Sequence, residues 1–266
     1  PDPDNEREAV ALVPTEDVLL TSAHVPTRNR QKLLQALPYA LEDQLSGDVE
    51  TLHFVPGERT KDGACTVAVV RHKRMDAWLE TLGTAALQPR RMLPDALALP
   101  LTDNTWTAML DGDRFVVRTG PVSGFAGEME NFTLLVTAAL GEAGEAGPKQ
   151  LVVGGGSLPT DSNELPVPVV PAEAEPADFL ARGLAQSTSS LNLLTGPYRP
   201  ARGASGRLRP WAAVIAHWGG TRTAEGHWVI EEDSPYTDAV AVRVDGDTVT
   251  VVNAPTADEL DEVHDA

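Results

Sequence analysis

Strands and helices alternate along the 266-residue chain as in an α/β or α+β domain built on a mixed sheet. Three observations carry this reading. Short valine-rich runs recur, bounded by Pro, Gly or Asp turns. Between them lie stretches with apolar residues at helical spacing. Two pairs of strand-like runs flank Asp-Gly-Asp turns, the local signature of a hairpin.

In chain order, residues 9–13 and 18–25 read as two strands around Pro-Thr-Glu-Asp. Thr27 is expected to cap a helix over 28–45 that ends near Gly47. Leu33, Leu34, Leu37, Leu41 and Leu45 recur within it at helical spacing, and packing is expected through Leu34, Leu37, Leu41 and Leu45. Pro38 removes one backbone donor there, so a kink or break is expected. "VETLHFV" leads into a strand, and residues 64–72 form a near-continuous apolar strand interior to a sheet. Residues 73–87 are a second amphipathic helix, with Met75, Trp78, Leu79 and Leu82 inward. "PRRMLPDALALPL" reads as a Pro-rich crossover. "TWTAMLDGDRFVVRTG" is a hairpin, and "EMENFTLLVTAAL" a third helix running into a glycine-punctuated loop. "KQLVVGGGSLP" is a buried strand entering a glycine turn, and "PVPVVPAEAEP" an extended linker or edge. "ADFLARGLAQ" is a short helix, "SLNLLTGPYRP" an extended segment, and "DAVAVRVDGDTVTVVN" a second hairpin. The acidic residues after it form one helical turn or stay disordered.

A formal charge of -18 argues against nucleic acid and against docking on an anionic membrane. It suits solubility, whether from an acid-rich proteome or from an acidic interface for a basic partner. One cysteine, Cys65, excludes an internal disulfide framework and fits a reducing compartment. No apolar run is long enough to span a bilayer, and "PDPDNEREAV" has no initiator Met and no apolar leader region.

Four segments, "EDVLLTSAHVP", "LLQALPYALEDQLSGDVETLHF", "RMLPDALALPL" and "LARGLAQ" with "SLNLLTGPYRP", fall in one order. Together they resemble the cytoplasmic domain of the type II secretion system protein L family, over residues 8 to 211. The resemblance implies an actin-like, RNase H-like fold with more than one subdomain. It also implies a non-catalytic platform on the cytoplasmic side of the bacterial inner membrane. Expected partners are the N-terminal domain of the cytoplasmic secretion ATPase, other platform proteins of the inner membrane and a second copy of the chain. The family carries a β-rich segment before the point where this chain begins, so residues 1–200 are expected to hold an incomplete first subdomain. Beyond "RLRPWAAVIA" the family continues into a membrane helix. Here the run ends at His217-Trp218-Gly219-Gly220, which leaves residues 201–220 as a linker or vestige and 221–266 as a hairpin and acidic tail. Arg207, Arg209 and Trp211 match the cytoplasmic edge of that helix, where basic and aromatic residues sit.

The candidate binding residues are few. Gly154, Gly155 and Gly156 follow a strand, as nucleotide-cradling loops do, but also read as a structural turn. The alternative function is thus a nucleotide-binding or weakly hydrolysing actin-like ATPase. No phosphate loop with its Mg²⁺ carboxylate accompanies the glycines. Glu42, Asp43, Asp48 and Glu50 read as a solvated or partner-facing edge, and Arg90 with Arg91 as a surface contact. His24, His53, His72, His217, His227 and His264 show no metal-ligand spacing. Cys65 reads as a small core residue, and no serine lies in a Gly-x-Ser-x-Gly context. No catalytic residue, cofactor or metal is expected.

Overall fold

The computed structural model describes residues 10–27, 29–45, 48–60, 63–85, 87–186 and 190–200, together with five strand segments between 213 and 253. Lobe one begins with β1 (Val10–Val13) and β2 (Val18–Ala23), joined by a 3-10 turn at Thr15–Asp17. Helix α1 (Arg30–Ala40) follows, then β3 (Leu52–Arg59), β4 (Cys65–Arg71), α2 (His72–Thr84) and β5 (Arg91–Pro94). Lobe two holds β6 (Thr105–Asp111), β7 (Arg114–Gly120), β8 (Ser123–Glu128), α3 (Phe132–Ala143), β9 (Gln150–Gly155) and β10 (Val169–Pro171). Helix α4 (Pro176–Gln186) packs across the 3-10 turn Asp95–Ala98 and β6 and β9.

The sheet of lobe two has the order β10-β9-β6-β7-β8. β7 runs antiparallel to both neighbours, while β9 returns through the α3 crossover to lie parallel to β6, and β10 lies parallel to β9. A three-strand meander that returns by a helix to lay a parallel strand beside its first strand is the RNase H-like plan. The mixed α/β class with more than one subdomain, and its actin-like type, is therefore the fold of this chain. In lobe one β4 is the middle strand of an antiparallel trio, β2-β4-β3, which accounts for its apolar run. β1 sits between β5 and β11 (Ala213–Ala216), both parallel to it. β12 (Thr221–Arg222) and β13 (Trp228–Val229) form a small ribbon. The second hairpin is present as β14 (Ala239–Asp245) and β15 (Thr248–Asn253), and β14 extends the β1 sheet through β11. The acidic residues past 253, Arg207, Arg209, Trp211, Gly47 and three of the histidines (His217, His227, His264) lie outside the described residues.

Several expectations are corrected. Helix α1 spans Arg30–Ala40 rather than 28–45, and its cap is Asn29, whose Oδ1 accepts from the Gln31 and Lys32 amides. Thr27 instead accepts from the Asn29 amide. Pro38 lies inside the helix and the helix ends two residues later, so the expected break falls in its C-terminal turn. Leu33, Leu37 and Leu41 are buried, whereas Leu34, expected inward, is 39 % exposed. At about 100° per residue Leu33, Leu37 and Leu41 share one line and Leu34 falls at its flank. The expected crossover "PRRMLPDALALPL" is β5 followed by a 3-10 turn whose residues Asp95–Ala98 are all buried. Strand β8 went unread in the sequence.

Among the described residues, three apolar clusters form the core. One packs α1 against β3 and β4 through Leu33, Leu37, Leu41, Phe54, Val67 and Val69. One packs α3 against the lobe-two sheet around Phe115, Phe132 and Val136. The largest joins the lobes: Leu12, Met92, Leu97 and Met75 meet Met109, Val116 and Leu180. Residues 190–198 return to lobe one and cover the edge of β5. The Leu193 amide donates to the Met92 carbonyl (2.9 Å), and Asn192 Oδ1 accepts from the Met92 amide (3.0 Å).

Candidate partner-binding surface

The acidic candidates lie on the connection between α1 and β3. Glu42 and Asp43 stand on one 3-10 turn, Glu42–Gln44, and Asp48 and Glu50 at the next, Val49–Thr51. All four are exposed. Asp48 also caps its turn by accepting from the Glu50 amide (2.9 Å), so part of its role is local. Gln44 is held by Thr21 of β2, whose Oγ1 donates to Gln44 Oε1 (2.9 Å), and Leu45 packs onto the α1 cluster. The acids are therefore carried on an anchored frame.

Tyr39, three residues before Glu42 in the chain, was not singled out from the sequence. It is 80 % exposed, the most exposed of the large apolar or aromatic side chains described. Helical phase could have found it: Tyr39 lies about 200° from Leu37 and so opposite the buried stripe. An exposed aromatic ring on the helix that leads into the acidic turns offers a rigid contact area close in the chain to negative charge. Arg90 and Arg91 sit elsewhere, at the start of β5; Arg90 is exposed, and its carbonyl accepts from Asn192 Nδ2 (3.0 Å).

The glycine run has a packing explanation. Gly155 has φ +91°, and a Cβ on it would stand 2.1 Å from the Leu110 carbonyl oxygen. A Cβ on Gly154 would lie 3.0 Å from the Phe179 ring of α4. The Gly155 amide donates to the Ala174 carbonyl (3.0 Å) and the Gly156 amide to Leu110 (2.8 Å). Two of the donors a phosphate would need are engaged within the fold.

The other titratable side chains are structural in their contacts. His53 Nε2 donates to the Leu193 carbonyl (3.0 Å), and burial holds its pKa below the ordinary value, a Leu193 bond offsetting part of this. His72 Nδ1 lies 2.6 Å from the Tyr198 hydroxyl; burial first, then the charge and hydrogen bond of Asp76, pushes that phenol up to about 12. Cys65 is buried in β4, and burial raises its thiol pKa, the opposite of an activated nucleophile. His24 lies between β2 and α1. Among the described residues, no three His, Cys, Asp or Glu side chains group as a metal site, and no helix is long and apolar enough to cross a membrane.

Comparison with known proteins agrees with this architecture. The family model for type II secretion system (T2SS) protein L matches residues 2–201, and a model for a domain of unknown function matches residues 206–264. Type II secretion system protein L of Dickeya chrysanthemi is 28 % identical over 226 residues, which cover 84 % of this chain and 50 % of that protein. The protein L of Vibrio cholerae is 31 % identical over 199 residues, covering 73 % of this chain and 47 % of that protein. The chain thus spans about half the length of the curated relatives it matches. The solved cytoplasmic domain of EpsL, an inner-membrane component of the Vibrio cholerae system, superposes with a TM-score of 0.58 at 29 % identity. That match covers 73 % of this chain and 80 % of that one. The chain belongs to the type II secretion system protein L family.

Proposed function

We propose that this domain is a non-catalytic assembly platform of a type II secretion system, which recruits the cytoplasmic secretion ATPase at the inner face of the bacterial inner membrane. The reading rests on the family and on one observation, the exposed Tyr39 near the end of α1, followed in the chain by the exposed acids Glu42, Asp43, Asp48 and Glu50. The aromatic ring supplies contact area that is dry once a partner covers it, and the acids steer a basic partner and orient it. Arg90 and Arg91 would serve a different neighbour, either another platform protein or a second copy of the chain. The glycine turn is read as packing, since its amides already have acceptors.

The test is titration with the N-terminal domain of the cognate ATPase at low and high salt. Tyr39→Ala is expected to weaken binding about ten-fold, in the range of an interface anchor. Glu42→Lys with Asp43→Lys is expected to lower the association rate and remove most of its salt dependence. Unchanged affinity in both variants, with the wild type binding, would move the interface elsewhere. In parallel, no magnesium-dependent release of phosphate from ATP is expected.

A further inference from the structure

The lobes meet through a polar contact as well as an apolar one. Arg114 and Arg118 are four residues apart on β7 and therefore share a face of the strand. Both reach the buried turn Asp95–Ala98 of lobe one. Arg114 Nη1 donates to Asp95 Oδ2 (2.8 Å). Its Nε and Nη2 each donate to one carboxylate oxygen of Glu16, both at 2.6 Å. Asp95 Oδ1 accepts from the Thr15 amide (3.1 Å) and hydroxyl (2.6 Å), and Thr15 Oγ1 in turn accepts from the Ala96 amide (3.0 Å). Arg118 Nη1 donates to the Leu97 and Leu99 carbonyls, each at 2.7 Å. One strand of lobe two thus grips the same turn at 95, 97 and 99. Through Glu16 it also holds the β1–β2 turn against the end of its own β6–β7 hairpin.

The apolar cluster between the lobes keeps them together but selects no direction, because burial of hydrocarbon is non-directional. A bidentate guanidinium–carboxylate pair is directional and short. Burial opposes the charge of Arg114, yet the carboxylates of Asp95 and Glu16 hold its pKa above the ordinary value. We propose that Arg114 is an interlobe latch: it fixes the angle between the two lobes, and its release lets the β1–β2 turn and the β6–β7 turn move apart about the apolar cluster.

The test uses the whole chain with Arg114→Gln, Glu16→Gln and Arg74→Gln. The last breaks the Arg74 Nε–Asp17 Oδ1 pair (3.0 Å), which holds the same β1–β2 turn from within lobe one. Residual dipolar couplings report the lobe angle, and amide exchange reports the latch. In the wild type both lobes should fit one alignment tensor. In Arg114→Gln they should require two, and exchange at the Thr15 and Ala96 amides should rise about ten-fold while central β4 and β6 amides keep wild-type rates. Glu16→Gln should move both readouts the same way by less, and Arg74→Gln should move neither. If Arg114→Gln does not fold, Glu16→Gln decides. A single tensor with unchanged exchange in the variants, or a parallel rise at every amide, would show that Arg114 does not set the lobe angle and would leave it to the apolar core and Arg118.

Discussion

Leu41→Ala should destabilise lobe one by about 3 kcal/mol, and Leu34→Ala by less than about 1 kcal/mol. Both leucines come from one run, and only burial separates them: Leu41 is 1 % exposed and Leu34 39 % exposed. Truncation to alanine removes three carbons, about 0.8 kcal/mol each, or roughly 2.4 kcal/mol in transfer alone. A cavity contribution adds to this for Leu41, because its neighbours Phe54, Val67 and Val69 sit on paired strands and cannot collapse into the space. At Leu34 water already touches the side chain and fills whatever is vacated. The assay is urea unfolding followed by circular dichroism, with the slope required to stay constant so that the midpoint reports stability. Equal losses in the two variants would refute the phase argument that places Leu33, Leu37 and Leu41 inward. A loss under about 1 kcal/mol for Leu41→Ala would refute the α1 cluster itself.

Gly155→Ala should cost about 2 kcal/mol or more, since its backbone sits at φ +91° and the new Cβ meets the Leu110 carbonyl; thermal melts measure it. Arg118→Met should cost about 3 kcal/mol in urea unfolding, because the Leu97, Leu99, Gly120 and Pro121 carbonyls lose their donors together. Arg118→Lys should not restore it, as one ammonium cannot span that fork; burial already brings this guanidinium down to about 10. His53 should make stability fall as pH drops below its ordinary 6.5, because the unfolded ring takes a proton there while burial keeps the folded ring neutral. His53→Leu should flatten that part of a melting temperature against pH curve, and an unchanged slope would remove His53 as the cause.

What could be read from the sequence was what local pattern determines. The β6–β7 and β14–β15 hairpins follow from Asp-Gly-Asp turns between alternating apolar residues, and β4 from its unbroken apolar run. β8 could not be read, because "SGFAGE" has the composition of a loop. It is a strand because the fold demands small residues there: a Cβ on Gly124 would lie 2.6 Å from the Val117 carbonyl oxygen and 2.8 Å from Ala96 Cβ. The turn Asp95–Ala98 was misread for the same kind of reason, since only the two lobes closing on it turn a Pro-rich stretch into core. The acids of the candidate surface were visible as residue types. Tyr39 needed the helical phase, and the Glu16–Arg114 contact spans a separation no local pattern reports.

The strap of residues 190–198 has a mechanical meaning. A pull on the backbone at residue 200 is carried inward by contacts arranged in series. It reaches Tyr198 against His72 first (2.6 Å), then His53 on the Leu193 carbonyl (3.0 Å), then Leu193 on Met92 (2.9 Å). The first is a part-buried side-chain contact and the second a buried one, while the third secures the border of the β1 sheet. Leu191, Leu193 and Leu194 are sunk in the cluster that joins the lobes, so they come free last. Tension applied there would be spent on the outer Tyr198 contact before it reached the core, and the angle between the lobes would be the last thing it disturbed.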